Sequence, residues 1–313
     1  MPRQKAVVRE QDFPNTWQDS LEEFLWFKQA QGISPRTALD YRYHVNRFFK
    51  DFPKAWHGGR LKQSLYEYLS VPCKPATHNI RLRNLAGFLL WCHSEGIIPD
   101  YPLHGLKTRR TEGKIYQVEP DILRRLLYLP DKKTFVGLRD AAALYLVLDC
   151  GIRPREMFNL LPEDFNMRSL EIKIRAEIAK TRSSRTLPIT TETALLLQSV
   201  ITARHPDWAC TTPLLCTQEG HFLDNYAWSK RLREYSRRLG VKITPYALRH
   251  CFALQYLRNG GHALALQRTL GHVDLSMTKR YVNLTEGDLR QQHRTASPLN
   301  ALLPSRQRVR KIR

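Results

Sequence analysis

The sequence predicts a mainly α-helical chain with a small β-sheet, an α+β class, arranged in two domains. Three observations predict it. Up to about residue 100 the apolar residues recur at helical spacing, and no alternating pattern interrupts them. Further on, Leu170, Ile172 and Ile174 alternate with Glu171, Lys173 and Arg175, and residues 185–189 look like the hairpin partner of that strand. The length of 313 residues is more than one domain of ~100–200 residues usually takes.

The elements follow in order. Trp17, Leu21, Phe24, Leu25 and Phe27 recur at helical spacing. Ile33-Ser34-Pro35 reads as a helix start, with Ser34 as N-cap and Pro35 at the first helical position. The helix it opens is expected to turn Leu39, Val45, Phe48 and Phe49 inward, and Arg36, Arg42, Arg47 and Lys50 outward. A third pattern holds Leu61, Leu65, Tyr66 and Leu69. The fourth follows Pro75, runs through Ile80, Leu82, Leu85, Phe88, Leu89 and Cys92, and stops near Gly96. Residues 13–100 are therefore expected to form a small all-helical domain with short loops.

Between residues 98 and 117 the periodicity fails. Pro99, Pro102, Gly105 and Gly113 punctuate a run containing Lys107, Arg109, Arg110 and Lys114, so residues 101–117 read as a basic interdomain linker. Residues 118–290 mix helix and sheet. Residues 140–149 form a buried helix, and the hairpin turn holds Lys180, Thr181, Arg182 and Ser183. Helical patterns then recur at 194–204, 226–239, 246–259, 264–270 and 276–281. Residues 291–313 add an apolar stretch around Leu299, Leu302 and Leu303 and a disordered basic tail.

Charge identifies the class of partner. Fifty Lys and Arg stand against 29 Asp and Glu, a net +21. A folded chain this basic is expected to meet a polyanion, because its summed field attracts phosphate. A hydrophobic content of 42% excludes a disordered basic tail protein. No apolar run approaches the ~18 residues of a membrane span, and the first residues lack the apolar core of a signal peptide. The six cysteines form no C-x-x-C pair, and Cys92, Cys150 and Cys251 lie in apolar helical patterns as reduced buried thiols. A cytoplasmic protein with no metal, no small-molecule cofactor and no membrane partner is expected.

Neither G-x-x-x-x-G-K-[ST] nor G-x-G-x-x-G occurs, and no carboxylate cluster suits two-metal chemistry. Chemistry on a phosphodiester would then rest on side-chain cations, and arginine's planar fork suits two phosphate oxygens. Three segments meet that need. Asp149-Cys150-Gly151-Ile152-Arg153-Pro154-Arg155-Glu156 ends an apolar helix at a glycine and opens the next with Arg153, which Glu156 could orient. Tyr246-Ala247-Leu248-Arg249-His250 sets Tyr246 and Arg249 three residues apart on one helix face, with Leu248 and Phe252 buried. Leu270-Gly271-His272 is followed nine residues after the histidine by Tyr281.

Taken in order, these segments resemble the tyrosine recombinase, or phage integrase, family. Its pattern is an arginine, a lysine in a β-hairpin turn, H-x-x-R, a histidine or tryptophan after L-G, and a nucleophilic tyrosine. The matching residues here are Arg153, Lys180, Tyr246 with Arg249, His272 and Tyr281. The turn reads Lys180-Thr-Arg-Ser-Ser-Arg185-Thr-Leu-Pro188-Ile189, and Gly32-Ile33-Ser34-Pro35-Arg36-Thr37 is similar to the start of the family's core-binding domain. One position departs from the pattern, since Tyr246 stands where the family has histidine. A tyrosine near its ordinary pKa of about 10 is a poor base at neutral pH, which leaves the general base open. His250 is a possible substitute, although an adjacent residue points about 100° away round a helix.

The resemblance implies a helical DNA core-binding domain followed by a catalytic domain. It implies DNA cleavage and rejoining through a 3′-phosphotyrosine by Tyr281, with Arg153, Arg249 and His272 on the phosphate and Lys180 as acid. Glu156 would support Arg153, and Tyr246 would hydrogen-bond a phosphate oxygen. Arg36, Arg42, Lys107, Arg109 and Arg110 would grip the backbone of double-stranded DNA. The family works as a homotetramer on two DNA sites, and the C-terminal segment would reach a neighbouring protomer. A type IB topoisomerase-like relaxase and a non-catalytic DNA-binding regulator of this fold are the alternatives.

Overall fold

A computed structural model of the chain divides into two compact units, Met1–Glu112 and Gly113–Arg313. It describes residues 16–56, 59–111, 117–282, 290, 293–294 and 296–302. The basic tail lies outside the described residues, as do Leu289, Gln291, Gln292, Thr295 and Leu303 of the C-terminal stretch expected to meet a neighbour.

The first unit is helical, with α1 (Trp17–Ala30), α2 (Pro35–Asp51), α3 (Leu61–Ser70) and α4 (Pro75–Ser94). Ser34 caps α2 as expected, its hydroxyl accepting the Thr37 N–H at 3.2 Å. Phe24, Val45, Phe48, Leu65, Phe88 and Cys92 are fully buried, and Phe24 meets Tyr41 and Phe88 edge-on. Leu39 was expected inside but is 58% exposed. The inward stripe of α2 runs through Ala38, Tyr41, Val45, Phe48 and Phe52, and Leu39 lies about 100° off it. Phe27 and Ile80 are likewise exposed beside their helices' buried stripes. Past α4 the chain stays on this unit: Ile98 and Leu103 are buried in its core, and Asn79 exchanges two 2.8 Å hydrogen bonds with the Arg109 backbone.

The second unit opens with α5 (Pro120–Tyr128), α6 (Phe135–Cys150) and the short α7 (Pro154–Met157). Helix α6 is the hydrophobic centre, with Ala141, Ala142, Ala143, Leu144 and Leu146 fully buried. An antiparallel sheet follows in the order β1 (Phe165–Asn166), β2 (Glu171–Ile174), β3 (Arg185–Pro188). Its register pairs Ile172 with Leu187 and Ile174 with Arg185. Ile172, Ile174 and Leu187 are fully buried, so the pairing brings Arg185 to the covered face.

Helices α8 (Thr191–Thr202), α9 (Asn225–Leu239), α10 (Pro245–Arg258), α11 (Ala263–Leu270) and α12 (Leu275–Val282) complete the unit, with a single turn at Leu299–Leu302. Helix α9 is pinned to α6 through Asp140, which is fully buried. Its carboxylate accepts from Arg139 at 2.7 Å, Arg231 at 2.8 Å and the Tyr235 hydroxyl at 2.8 Å. Cys92, Cys150, Cys216 and Cys251 are buried free thiols. Among the described residues, no helix is long and apolar enough to cross a membrane, and no group of three His, Cys, Asp or Glu is placed to hold a metal ion.

Candidate active site

The site is built where α6 ends. Gly151 closes that helix at φ 62°, a left-handed conformation that favours glycine, and Arg153 then occupies the N-cap position of α7. Pro154 fixes the first helical residue, which places Glu156 where its carboxylate accepts the Arg153 N–H. The Arg153 guanidinium bonds Glu156 at 3.0 Å and the Gly271 carbonyl at 2.8 Å. Arg185, reaching in from β3, takes the other side of the same carboxylate at 2.6 Å and the Thr269 carbonyl at 3.2 Å. Glu156 is 1% exposed. Burial opposes its charge, yet bonds from Arg185 and Arg153 hold the carboxyl below its ordinary range.

Arg249 comes from α10 and is 6% exposed. Its guanidinium donates to the Gly151 carbonyl, to the Leu270 carbonyl at 2.7 Å and to Nε2 of His272 at 3.4 Å. Burial, with the neighbouring Arg153 charge, pushes it down to about 10. Two guanidiniums hold the one carboxylate and the charge of a third lies beside them, so the cluster carries an excess of positive charge. Such a site invites an anion.

His272 follows α11, which Gly271 ends at φ 59°. Because a guanidinium can only donate, Nε2 of His272 accepts from Arg249; its proton sits on Nδ1, 2.9 Å from the buried Thr278 hydroxyl. Burial, Arg249 and Arg153 push His272 down to about 4, so the ring is neutral at neutral pH. Tyr281, on the last turn of α12, is 8% exposed, and its hydroxyl lies 2.6 Å from Nδ1 of His250.

Of the residues singled out from the sequence, the structure brings together Arg153, Glu156, Arg249, His250, His272 and Tyr281. It leaves two out. Tyr246 is 69% exposed, one turn nearer the start of α10 than Arg249, where no element among the described residues covers it. Lys180 is exposed in the loop between β2 and β3. Arg185 and Thr278 join the cluster without having been singled out for it. Arg185 was legible in principle, since it alternates with Leu187 and Ile189, and a charge on an inward strand face needs partners. In the helical unit, Arg36, Lys107, Arg109 and Arg110 are exposed, whereas Arg42 forks onto Glu22 and ties α2 to α1.

The model of the phage integrase family matches residues 117–287. The tyrosine recombinase XerC of Myxococcus xanthus is 26% identical over 297 residues, which are 89% of this chain and 97% of that one. The tyrosine recombinase XerA of Pyrococcus horikoshii is 25% identical, covering 91% and 96%. Among solved structures, the integrase of transposon Tn1549 in complex with a circular intermediate DNA is 17% identical. It superposes with a TM-score of 0.69 over 88% of this chain and 99% of that one. A lambda integrase dimer bound to a core site gives a TM-score of 0.67 at 14% identity, covering 84% and 94%.

Proposed function

The chain belongs to the phage integrase family, a membership that spans more than half its length, and from that premise we propose how its residues carry out site-specific recombination. The enzyme is a tyrosine recombinase and its substrate is duplex DNA, the molecule its solved relatives hold. The observation that carries the reading is the cluster itself: Arg153, Arg185 and Arg249 with one carboxylate between them, and a tyrosine hydroxyl on the adjoining helix.

The Tyr281 oxygen attacks the scissile phosphorus, and the bond to the 5′-oxygen breaks. Lys180, on the turn between β2 and β3, protonates that oxygen as it leaves. The 3′-phosphate is then esterified to Tyr281, and the 5′-hydroxyl of a partner strand reverses the step. The ester retains the energy of the phosphodiester, so rejoining needs no nucleotide hydrolysis. Arg153 and Arg249 bind the non-bridging oxygens as charge grows on them, and donors fixed in advance are worth about 2.7–4 kcal/mol each. Glu156 and Arg185 fix Arg153. A phosphodiester beside His272 supplies the negative charge that favours its imidazolium form, whose Nε2, turned from accepting the Arg249 bond, then donates a third hydrogen bond to the phosphate.

Arg36, Lys107, Arg109 and Arg110 supply a salt-sensitive grip on the phosphate backbone. Recombination joins two duplexes, and four protomers on two sites are the expected assembly, which mass measurement of the complex with two site-bearing duplexes tests. The chemical reading is tested with a nicked substrate that traps the covalent intermediate. Tyr281→Phe is expected to bind DNA with wild-type affinity and to form no covalent complex; a covalent complex from this variant overturns the assignment.

A further inference from the structure

The geometry points to His250 as the general base that takes the proton of the Tyr281 hydroxyl. Resting on the reading of Tyr281 as nucleophile, this assigns a role that the recombinase pattern, with its H-x-x-R box, leaves open here. The box position is Tyr246, exposed at the start of α10, whereas the imidazole of the residue after Arg249 lies 2.6 Å from the nucleophilic oxygen through Nδ1. Sequence spacing argues against that neighbour, because consecutive helical residues diverge by about 100°. The fold overrides it. Arg249 turns toward Gly151 and Leu270, and α12 packs on α10 from the side that His250 faces, bringing Tyr281 with it.

The other histidine of the site is unsuited to the task. Nε2 of His272 accepts from Arg249 and its other nitrogen faces Thr278, so neither is turned to Tyr281. His250 is half-buried, and the titratable groups facing it among the described residues include Tyr281 from α12, His272 from the turn before α12, and Tyr246 and Arg249 from α10 itself.

The step balances as follows. With Nδ1 unprotonated, the Tyr281 O–H donates to it. As the oxygen attacks phosphorus its proton passes to Nδ1, the O–P bond forms, and the bond from phosphorus to the 5′-oxygen breaks with the proton from Lys180. On rejoining, the incoming 5′-hydroxyl returns its proton to Lys180, and the imidazolium returns its own to the departing tyrosine oxygen.

The test follows covalent complex formation with the full-length chain across pH, in the wild type and in His250→Asn, His250→Ala, Tyr246→Phe and Tyr281→Phe. Asparagine keeps a hydrogen-bonding group near the place of Nδ1 but accepts no proton. His250→Asn is expected to bind DNA normally and to react about 10²–10⁴-fold more slowly near neutral pH. Its rate should climb steadily toward alkaline pH, where the wild type has levelled off, and free imidazole should partly restore His250→Ala. A residue that only positions the tyrosine predicts an equal loss at every pH and no rescue. That result, or a wild-type rate in His250→Asn, overturns the inference, and a fall confined to Tyr246→Phe transfers the role to that residue. Loss of the covalent complex in Tyr281→Phe alongside a normal His250→Asn refutes this inference alone, whereas a covalent complex in Tyr281→Phe refutes the reading beneath it.

Discussion

Glu156 shows how single residues set the electrostatics of the site. Arg185 bonds both of its oxygens and the Arg153 guanidinium bonds one of them, and the planar fork of Arg185 lets it span the carboxylate while its Nε holds a backbone carbonyl. Arg185→Lys keeps the charge and loses the fork. It is expected to slow cleavage by at least about tenfold, because Arg153 is no longer held against its neighbour, with DNA affinity changed far less. Single-turnover cleavage beside a binding titration reads this, and equal cleavage rates would contradict it. Gly271 shows the same tightness: a Cβ there would lie 3.2 Å from both the Arg153 and the Arg185 guanidinium groups. At this scale the sequence was partly legible. Residue type marked the segments that hold Arg153, Arg249, His272 and Tyr281, and their order, through the resemblance to the recombinase family, singled those residues out. Tyr246 and Arg249 do share a helix face, but contact depends on what packs at each level of that helix, and nothing local carries that information.

Elements were read more securely than contacts, because their signals are local. Caps and apolar stripes placed α2, α4 and α10, and β2 and β3 pair where alternation predicted a hairpin. The two-residue β1 and the four-residue α7 are too short to show a period, and they form because neighbours complete their hydrogen bonds. Between elements, the Asp140 carboxylate joins α6 to α9 with no exposure to water. Asp140→Ala leaves Arg139 buried without its carboxylate and is expected to cost about 3–5 kcal/mol of stability. Denaturant unfolding measures it, and an unchanged midpoint would show that the network contributes little.

For the whole molecule, the net +21 resolves into distinct uses. Three arginines of the second unit converge on one site, Arg42 and Arg231 pair with carboxylates inside their own units, and Lys107 and Arg110 are exposed cations for which we propose a polyanion. Composition identified the class of partner because long-range fields depend on total charge; it could not sort the cations, because sorting depends on burial. Mapping the covalent intermediate identifies the nucleophile and the strand end it holds. The wild-type chain is incubated with a nicked duplex bearing its site, and the adduct is digested and sequenced by mass spectrometry. A 3′-phosphate joined to Tyr281 and a free 5′-hydroxyl on the released strand are the expected products. An adduct on another residue, a 5′-linked adduct, or cleavage with no adduct would contradict the assignment.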